Sequence, residues 1–139
     1  MKAQSKVQGG VGHSRISENE WEHYAGPEAD MPARVQFLGE SWEDGPWVIA
    51  HRLGPNASFG RHAHEYDTIY YVQRGSITFS DNGGGEDDWF GPGDVRWVRG
   101  GVEYGPEIAG PDGCDFLLVA YGPHNVQFPD GSLVEGSAT

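Results

Sequence analysis

The sequence predicts an all-β protein built as a sandwich or a barrel. Glycine and proline are abundant, with 22 and 9 residues in a chain of 139, which is typical of chains with many turns. The chain also has 5 tryptophans, 6 tyrosines and 6 phenylalanines, enough aromatic side chains for a hydrophobic core. From Arg34 onward, short apolar runs alternate with turn signals such as SDNGGG and GPGD at intervals of about 8 to 12 residues, which is the spacing of strands in an all-β fold.

We predict seven strands, each a short run that is mostly rich in β-branched and aromatic residues. They are Val35–Gly39, Trp47–Leu53, Thr68–Gln73, Ser76–Ser80, Asp88–Phe90, Val95–Val98 and Asp115–Tyr121. Curling such strands into two packed sheets or a closed barrel removes exposed edges and leaves a central cavity. We therefore expect the functional site in that cavity.

The ends of the chain differ from this pattern. Ser17 is followed three residues later by Glu20, which predicts a short helical turn before Pro27. Residues 1–15 and 131–139 are polar and contain glycine, so we predict flexible tails on either side of a single domain at 16–130.

Charge and cysteine content limit the classes of partner and compartment. With 9 basic and 21 acidic residues the formal net charge is -12, which disfavours binding to nucleic acids or anionic membranes. The single cysteine, Cys114, excludes an intramolecular disulfide. The N-terminus has no apolar run of signal-peptide length, and no stretch approaches the roughly 20 apolar residues of a spanning helix. These features predict a soluble, cytoplasmic protein with neither nucleic acid nor membrane as a partner. The predicted cavity indicates a small-molecule ligand.

His62 and His64 are candidate metal ligands. Two residues apart on a strand, their imidazoles lie on one face, and neutral imidazole binds iron, zinc, copper and nickel. The spacing alone is equally consistent with two half-exposed histidines at the end of a strand.

Two segments resemble the motifs of the cupin superfamily. GPNASFGRHAHEYDTIYYVQRG contains the HxH of the first motif and its closing glycine, Gly75, and GDVRWVRGGVEY matches part of the second motif through Gly93, Asp94 and Gly101. The resemblance covers Trp47 to Tyr121 and implies a cupin-type, jelly-roll β-barrel that forms a homodimer. The segment PWVIAHRLGPNASFGRHAH is also similar to the acetylacetone-cleaving dioxygenases of this superfamily.

The chain departs from the motifs at two ligand positions. Thr68 stands where the family has a glutamate, and Tyr104 stands where the second motif has a histidine. Because some cupin dioxygenases bind iron with three histidines, the resemblance permits the loss of the glutamate. Tyr104 is then either a tyrosinate ligand, which a trivalent ion favours, or a hydroxyl that packs or binds substrate. A shift of one residue would instead make Glu103 the ligand, completing two histidines and one carboxylate. Iron is the expected metal, with zinc, nickel, manganese or no metal as alternatives.

Two functions remain open. The first is a metal-dependent, dioxygenase-like oxidoreductase that coordinates a small carbonyl or aromatic compound at His62 and His64. The second is a metal-independent isomerase, lyase or binding module that works through Tyr70 and Tyr104. Tyr70 has the strand parity of the two histidines and resembles the base of cupin lyases, although a core aromatic residue is the alternative. The candidate substrate-pocket residues are His51, Thr68 and Arg96.

Overall fold

The computed structural model describes residues 6–9, 11–23, 33–39, 46–81 and 85–135, and nearly all of its regular structure is antiparallel β. The strands in chain order are β1 (Lys6–Gln8), β2 (Val11–His13), β3 (Glu22–His23), β4 (Ala33–Gly39), β5 (Trp47–Leu53), β6 (Ser58–Phe59), β7 (Ala63–His64), β8 (Thr68–Phe79), β9 (Asp88–Phe90), β10 (Val95–Val98), β11 (Glu107–Ala120), β12 (Asn125–Gln127) and β13 (Leu133–Glu135). The all-β prediction is confirmed.

The strands form three sheets. The largest has the order β10-β8-β11-β5-β4-β3, with β6 added to β11 and β9 added to β8. A three-stranded sheet has the order β13-β12-β7, and β1 pairs with β2. A separate bridge joins the backbones of His62 and Tyr104, so the segment that precedes β7 is tied to the segment that precedes β11.

The long strand β8 corrects the prediction of two strands at Thr68–Gln73 and Ser76–Ser80. The gap left between these two predicted strands contains Gly75, which is a local irregularity with φ +74, and β8 continues through it. Its partner β11 has a change of register between Ala109 and Cys114, opposite Gly75. Because both strands are irregular at the same point, they remain paired on either side of it. The last predicted strand likewise starts earlier than expected, at Glu107.

The N-terminal segment contains a single turn of 3-10 helix at Ile16–Glu18. Ser17 lies inside this turn and does not cap it, because the turn starts after Arg15 and the backbone is extended again at Asn19. The segments expected to be flexible tails contain β1 and β2 at one end and β13 at the other. Among the described residues, no helix is long and apolar enough to cross a membrane.

The hydrophobic core lies on the inner face of the large sheet. Strands β5, β8 and β11 each point alternate side chains toward it, as expected for a sheet with one buried face. Phe79, Phe116, Ile49, Ile77 and Leu118 are almost completely buried. The polar residues described next interrupt this apolar interior.

Candidate functional site

A cavity in the core is lined by side chains from six strands and their connections. Its accessible volume is about 40 Å³, space for a small molecule or a few waters. The apolar part of its wall consists of Leu53, Phe59, Phe116, Leu118 and Val126. The polar part, which we call the polar wall, consists of His51, His62, His64, Tyr70, Glu107 and His124.

The backbone places His62 and His64 on the polar wall. His62 exchanges two backbone hydrogen bonds of 2.9 Å with Tyr104, and His64 pairs with Val126 through β7 and β12. Both side chains are buried, and their ring centroids are 4.9 Å apart. The prediction that they face the same interior space agrees with this placement.

Main-chain carbonyls fix the tautomers of both rings. Nδ1 of His62 donates to the carbonyl oxygen of Gly60 over 2.7 Å, and Nδ1 of His64 donates to that of Asn125 over 2.9 Å. A carbonyl only accepts hydrogen bonds, so Nδ1 carries the hydrogen in each ring and Nε2 is the atom that meets the other side chains.

Two tyrosines complete the contacts of His64. The Tyr104 hydroxyl donates to Nε2 of His64 over 2.9 Å and lies in contact with the Tyr70 hydroxyl, whose hydrogen is donated to Glu107. Tyr104 is fully buried and packs behind the cavity, whereas Tyr70 lies on the polar wall. Burial, reinforced by the charge of Glu107, raises the pKa of both phenols well above 10, so both hydroxyls keep their hydrogens at neutral pH.

Glu107 is the functional candidate that the sequence did not reveal. Its carboxylate is buried at the start of β11, where Oε1 accepts a hydrogen bond from the Tyr70 hydroxyl over 3.0 Å. The same oxygen lies 3.3 Å from Nε2 of His62. The two ring nitrogens of His62 therefore face the carbonyl of Gly60 and the carboxylate of Glu107.

The electrostatic surroundings keep Glu107 ionised. Burial acts to raise its pKa, but the hydrogen bond and charge interaction with His62, helped by His64 and Arg96, outweigh burial and lower the pKa to about 2. For His64 burial is the largest influence and, together with the charge of His62, lowers the pKa to about 3. At neutral pH the polar wall therefore presents a carboxylate beside neutral hydroxyls and a neutral imidazole.

The remaining predicted residues are divided between the cavity and its surroundings. His51 is half-buried on the polar wall and stacks on Phe116. Thr68 is buried outside the cavity lining, and its hydroxyl has no hydrogen-bond partner among the described residues. Arg96 is also buried outside the lining, with its guanidinium 3.8 Å from the Phe79 ring centroid. Thr68 and Arg96 were predicted to line the substrate pocket, but neither does.

The register at the second motif places Tyr104, and not Glu103, in the site. Glu103 is exposed and pairs with Arg61 over 3.3 Å. Strand parity explains the outcome, because the bridge with His62 turns Tyr104 inward and its neighbour outward. The alternative of Glu103 as a ligand is thereby corrected.

The side chains as placed do not form a metal site. Nε2 of His64 already accepts from Tyr104, and Nε2 of His62 faces Glu107. Within 6–9, 11–23, 33–39, 46–81 and 85–135, no three His, Cys, Asp or Glu side chains are grouped to hold an ion.

Comparison with known proteins identifies the fold. No family model and no curated protein matches the sequence. Among solved structures, an acetylacetone dioxygenase from Acinetobacter johnsonii has 21% identity and a TM-score of 0.72, covering 99% of this chain and 94% of that chain. The polyketide cyclase RemF from Streptomyces resistomycificus has 24% identity and a TM-score of 0.65, covering 76% and 75% of the two chains. An RmlC-like cupin from Shewanella frigidimarina has 20% identity and a TM-score of 0.65, covering 84% and 92%. The chain has the cupin fold.

Proposed function

We propose that the protein is a cupin-fold enzyme that moves a proton on a small carbonyl compound. The observation that carries this proposal is the contact between the Tyr70 hydroxyl and the Glu107 carboxylate on the polar wall. Removing a hydrogen next to a carbonyl requires a base for the proton and a donor for the oxygen that gains charge. The pair supplies both groups within 3.0 Å of each other.

Glu107 is the base in this reaction. Its carboxylate takes the proton as the C–H bond breaks, and the electron pair moves to the carbonyl oxygen to form an enolate. The contact with His62 lowers the pKa of the carboxylate and so weakens it as a base before substrate binds. A substrate that separates Glu107 from His62 removes the interactions that lower the carboxylate pKa most, so burial raises this pKa toward the range useful for catalysis.

Tyr70 is the donor to the enolate oxygen. Because burial and the charge of Glu107 raise its pKa, the hydroxyl remains protonated and stabilises a developing oxyanion by a hydrogen bond. The apolar part of the wall and the small cavity favour a substrate with few polar groups beyond its carbonyl.

The experiment is hydrogen exchange in heavy water. Purified protein is incubated with acetylacetone, acetone and hydroxyacetone, and deuterium incorporation is followed by proton NMR. We expect faster exchange than in buffer for at least one compound, and a loss of that rate in Glu107→Gln. Exchange no faster than buffer for all three compounds would contradict the proposal.

A metal-dependent oxygenase is the second candidate. It is favoured by the similarity in fold to a protein named acetylacetone dioxygenase and by the two buried histidines on the polar wall. In an oxygenase, Nε2 of His62 would have to leave Glu107 and Nε2 of His64 would have to leave Tyr104, so that both nitrogens could bind an ion.

Elemental analysis and oxygen uptake separate the two candidates. The oxygenase predicts about one iron, zinc, nickel or manganese per chain, oxygen consumption with acetylacetone, and loss of both in His62→Ala and His64→Ala. The proton-transfer enzyme predicts hydrogen exchange without oxygen consumption.

A further inference from the structure

The outer face of the large sheet has an apolar patch that plays no part in the cavity. Successive side chains of a strand point to opposite faces of its sheet, so the residues between the buried ones of β8, β10 and β11 point away from the core. Six of them form two rows across the three strands, which we call the outer patch. One row is Val95, Tyr71 and Leu117, and the other is Trp97, Ile69 and Val119.

The strand register makes the outer patch continuous. In each row the β8 residue lies directly opposite its neighbours on β10 and β11, and the Cβ atoms of opposed residues are about 5 Å apart. Tyr121 extends the patch past the end of β11. Its backbone N–H donates to the carbonyl of Asp67 over 3.0 Å, so the chains are still paired there, and Tyr121 has the strand parity of Val119.

The exposed apolar area is larger than a single copy usually leaves uncovered. Trp97 is 76% exposed, Tyr121 59% and Tyr71 43%. With about 150 to 250 Å² for each aromatic side chain, these three residues alone expose on the order of 400 Å². Contiguous apolar patches of more than a few hundred Å² typically mark a surface that another molecule covers.

The charges in and around the outer patch suit a second copy of the same chain. In a two-fold contact the same surface packs on itself, so acidic residues within it would repel their counterparts. The residues of both rows and Tyr121 are uncharged, although the chain has 21 acidic residues and a net charge of -12. The same net charge disfavours nucleic acid or an anionic membrane as the occupant.

Both borders of the outer patch have charges of both signs. At one border Asp115 pairs with Arg52 over 3.2 Å and with Arg74 over 3.4 Å, so this carboxylate is neutralised within its own copy. At the other border, Asp67 and Arg99 are exposed just before β8 and just after β10. A second copy therefore meets no border of a single sign in either orientation of its strands.

The area of the outer patch is of the size that a dimer needs. Two copies packed face to face would cover on the order of 800 Å² from the three aromatic residues alone. The aliphatic side chains of the rows and the charged borders add to this area, which brings the contact toward the roughly 1,200 Å² at which stable protein interfaces begin.

We infer that the outer patch is the interface of a two-fold dimer, in which the large sheets of two copies pack face to face. Aligned packing of two sheets is a common arrangement in β proteins. The inference goes beyond the proposed function and does not depend on it, because Tyr70 and Glu107 point to the opposite face of the sheet, toward the core.

Light scattering over a range of protein concentrations tests the inference. We expect the mass of the wild-type protein to approach twice the 15.2 kDa of one chain as the concentration rises. Trp97→Glu and Val95→Glu each place a charge in the centre of the contact, so each should raise the dimer dissociation constant about thirtyfold or more. Trp89→Glu is the matched control, because Trp89 is 61% exposed but lies in β9, outside the outer patch. We expect it to dimerise as wild type.

Hydroxyl-radical footprinting of the wild-type protein covers the case in which a variant does not fold. Oxidation of Trp97 should fall as the dimer forms, whereas oxidation of Trp89 should stay constant. A wild-type protein that is monomeric at every concentration, a dimer that persists in both folded patch variants, or equal oxidation of Trp97 in monomer and dimer would each overturn the inference. A monomer that instead binds vesicles of neutral phosphatidylcholine through Trp97 would also overturn it, and would assign the outer patch to lipid.

Discussion

At the scale of single residues, the site depends on a buried charge with two partners. Glu107 is only 5% exposed, and an isolated carboxylate at that depth would be strongly destabilising. Tyr70 and His62 provide the hydrogen bonds that make its burial possible. Breaking such a buried set by removing one partner costs more than losing an exposed ion pair, so substitutions here affect stability as well as activity.

Tyr70→Phe should remove most of the hydrogen-exchange activity. The change keeps the ring and removes the donor to the enolate oxygen, and loss of one such donor typically costs about a hundredfold or more in rate. Tyr71→Phe, at the neighbouring and 43% exposed position, is the control and should leave the rate unchanged. A Tyr70→Phe rate within threefold of wild type would show that the hydroxyl has no part in the chemistry.

Tyr104→Phe should act mainly on stability. Tyr104 lies behind the cavity and donates to Nε2 of His64, so its loss leaves a buried acceptor without its donor. We expect the free energy of unfolding to fall by about 1 to 3 kcal/mol, with a smaller loss of rate than in Tyr70→Phe. Urea unfolding measures the first effect, and a larger rate loss than in Tyr70→Phe would show that Tyr104 is the donor to substrate.

At the scale of secondary-structure elements, β8 and β11 are central to the proposed chemistry because they hold Tyr70 and Glu107 on neighbouring strands of one sheet. Their pairing continues past the irregularity at Gly75. A Cβ added at Gly75 would lie 2.0 Å from the carbonyl oxygen of Gly113, and φ there is +74. Both conditions require glycine.

A comparison of Gly75→Ala with Gly93→Ala separates the cost of a positive φ from the cost of the close contact with backbone. Gly93 has φ +87 but has nothing within 4 Å of an added Cβ, so its substitution costs only the backbone strain, about 1 to 2 kcal/mol. Gly75→Ala adds a clash with backbone, and we expect a loss of about 3 kcal/mol or more in the free energy of unfolding. Equal losses in urea unfolding would mean that β8 and β11 move apart at low cost.

The sequence predicted part of the site through strand parity. His62, His64 and Tyr70 were predicted to face inward from their spacing, and all three are buried on one wall. Glu107 was missed because it follows Gly-Pro, a turn signal, so its strand was expected to begin only at Asp115. The local pattern gave no inward signal for Glu107, because at this end of β11 Glu107 and Ala109 are buried while the apolar Ile108 is exposed.

At the scale of the whole molecule, buried neutral histidines make stability depend on pH. The folded pKa of His64 is about 3 and that of His51 about 4, both below the 6.5 of the unfolded chain, with burial as the main cause. Between these values the unfolded chain binds protons that the folded chain does not. Stability is therefore fully present above pH 6.5 and is lost as the pH falls toward 4.

Urea unfolding between pH 7 and pH 4.5 tests this dependence. Each such histidine should lower the free energy of unfolding by about 1.4 kcal/mol per pH unit within its range. His64→Gln should reduce the slope by about one proton, and His13→Gln, at an exposed position, should not change it. An unchanged slope in His64→Gln would mean that His64 is protonated in the folded protein.

The fold was more predictable than the chemistry. The alternation of apolar runs and turns predicted the all-β class, and the resemblance of the HxH segment to a cupin motif predicted the cupin fold. Short strands such as β7 and β12 were missed because two or three residues are too few to show an alternating pattern. Such strands form only through pairing with their neighbours. The sequence did not point to His124, which lines the cavity, because a residue in a turn has no parity that predicts which way it faces. The homodimer stays a prediction, which light scattering tests.

We propose that Glu107 is the base of a proton-transfer site that works without an ion. The most direct measurement is the rate of deuterium incorporation into acetylacetone by protein dialysed against a strong chelator and shown to be free of transition metals. We predict that the wild-type protein and the Glu103→Gln control, whose substitution lies outside the cavity, exchange hydrogen at equal rates, and that Glu107→Gln is slower by about a hundredfold or more. An inactive chelated wild-type protein that recovers on addition of iron, or a Glu107→Gln variant as fast as wild type, would contradict the claim.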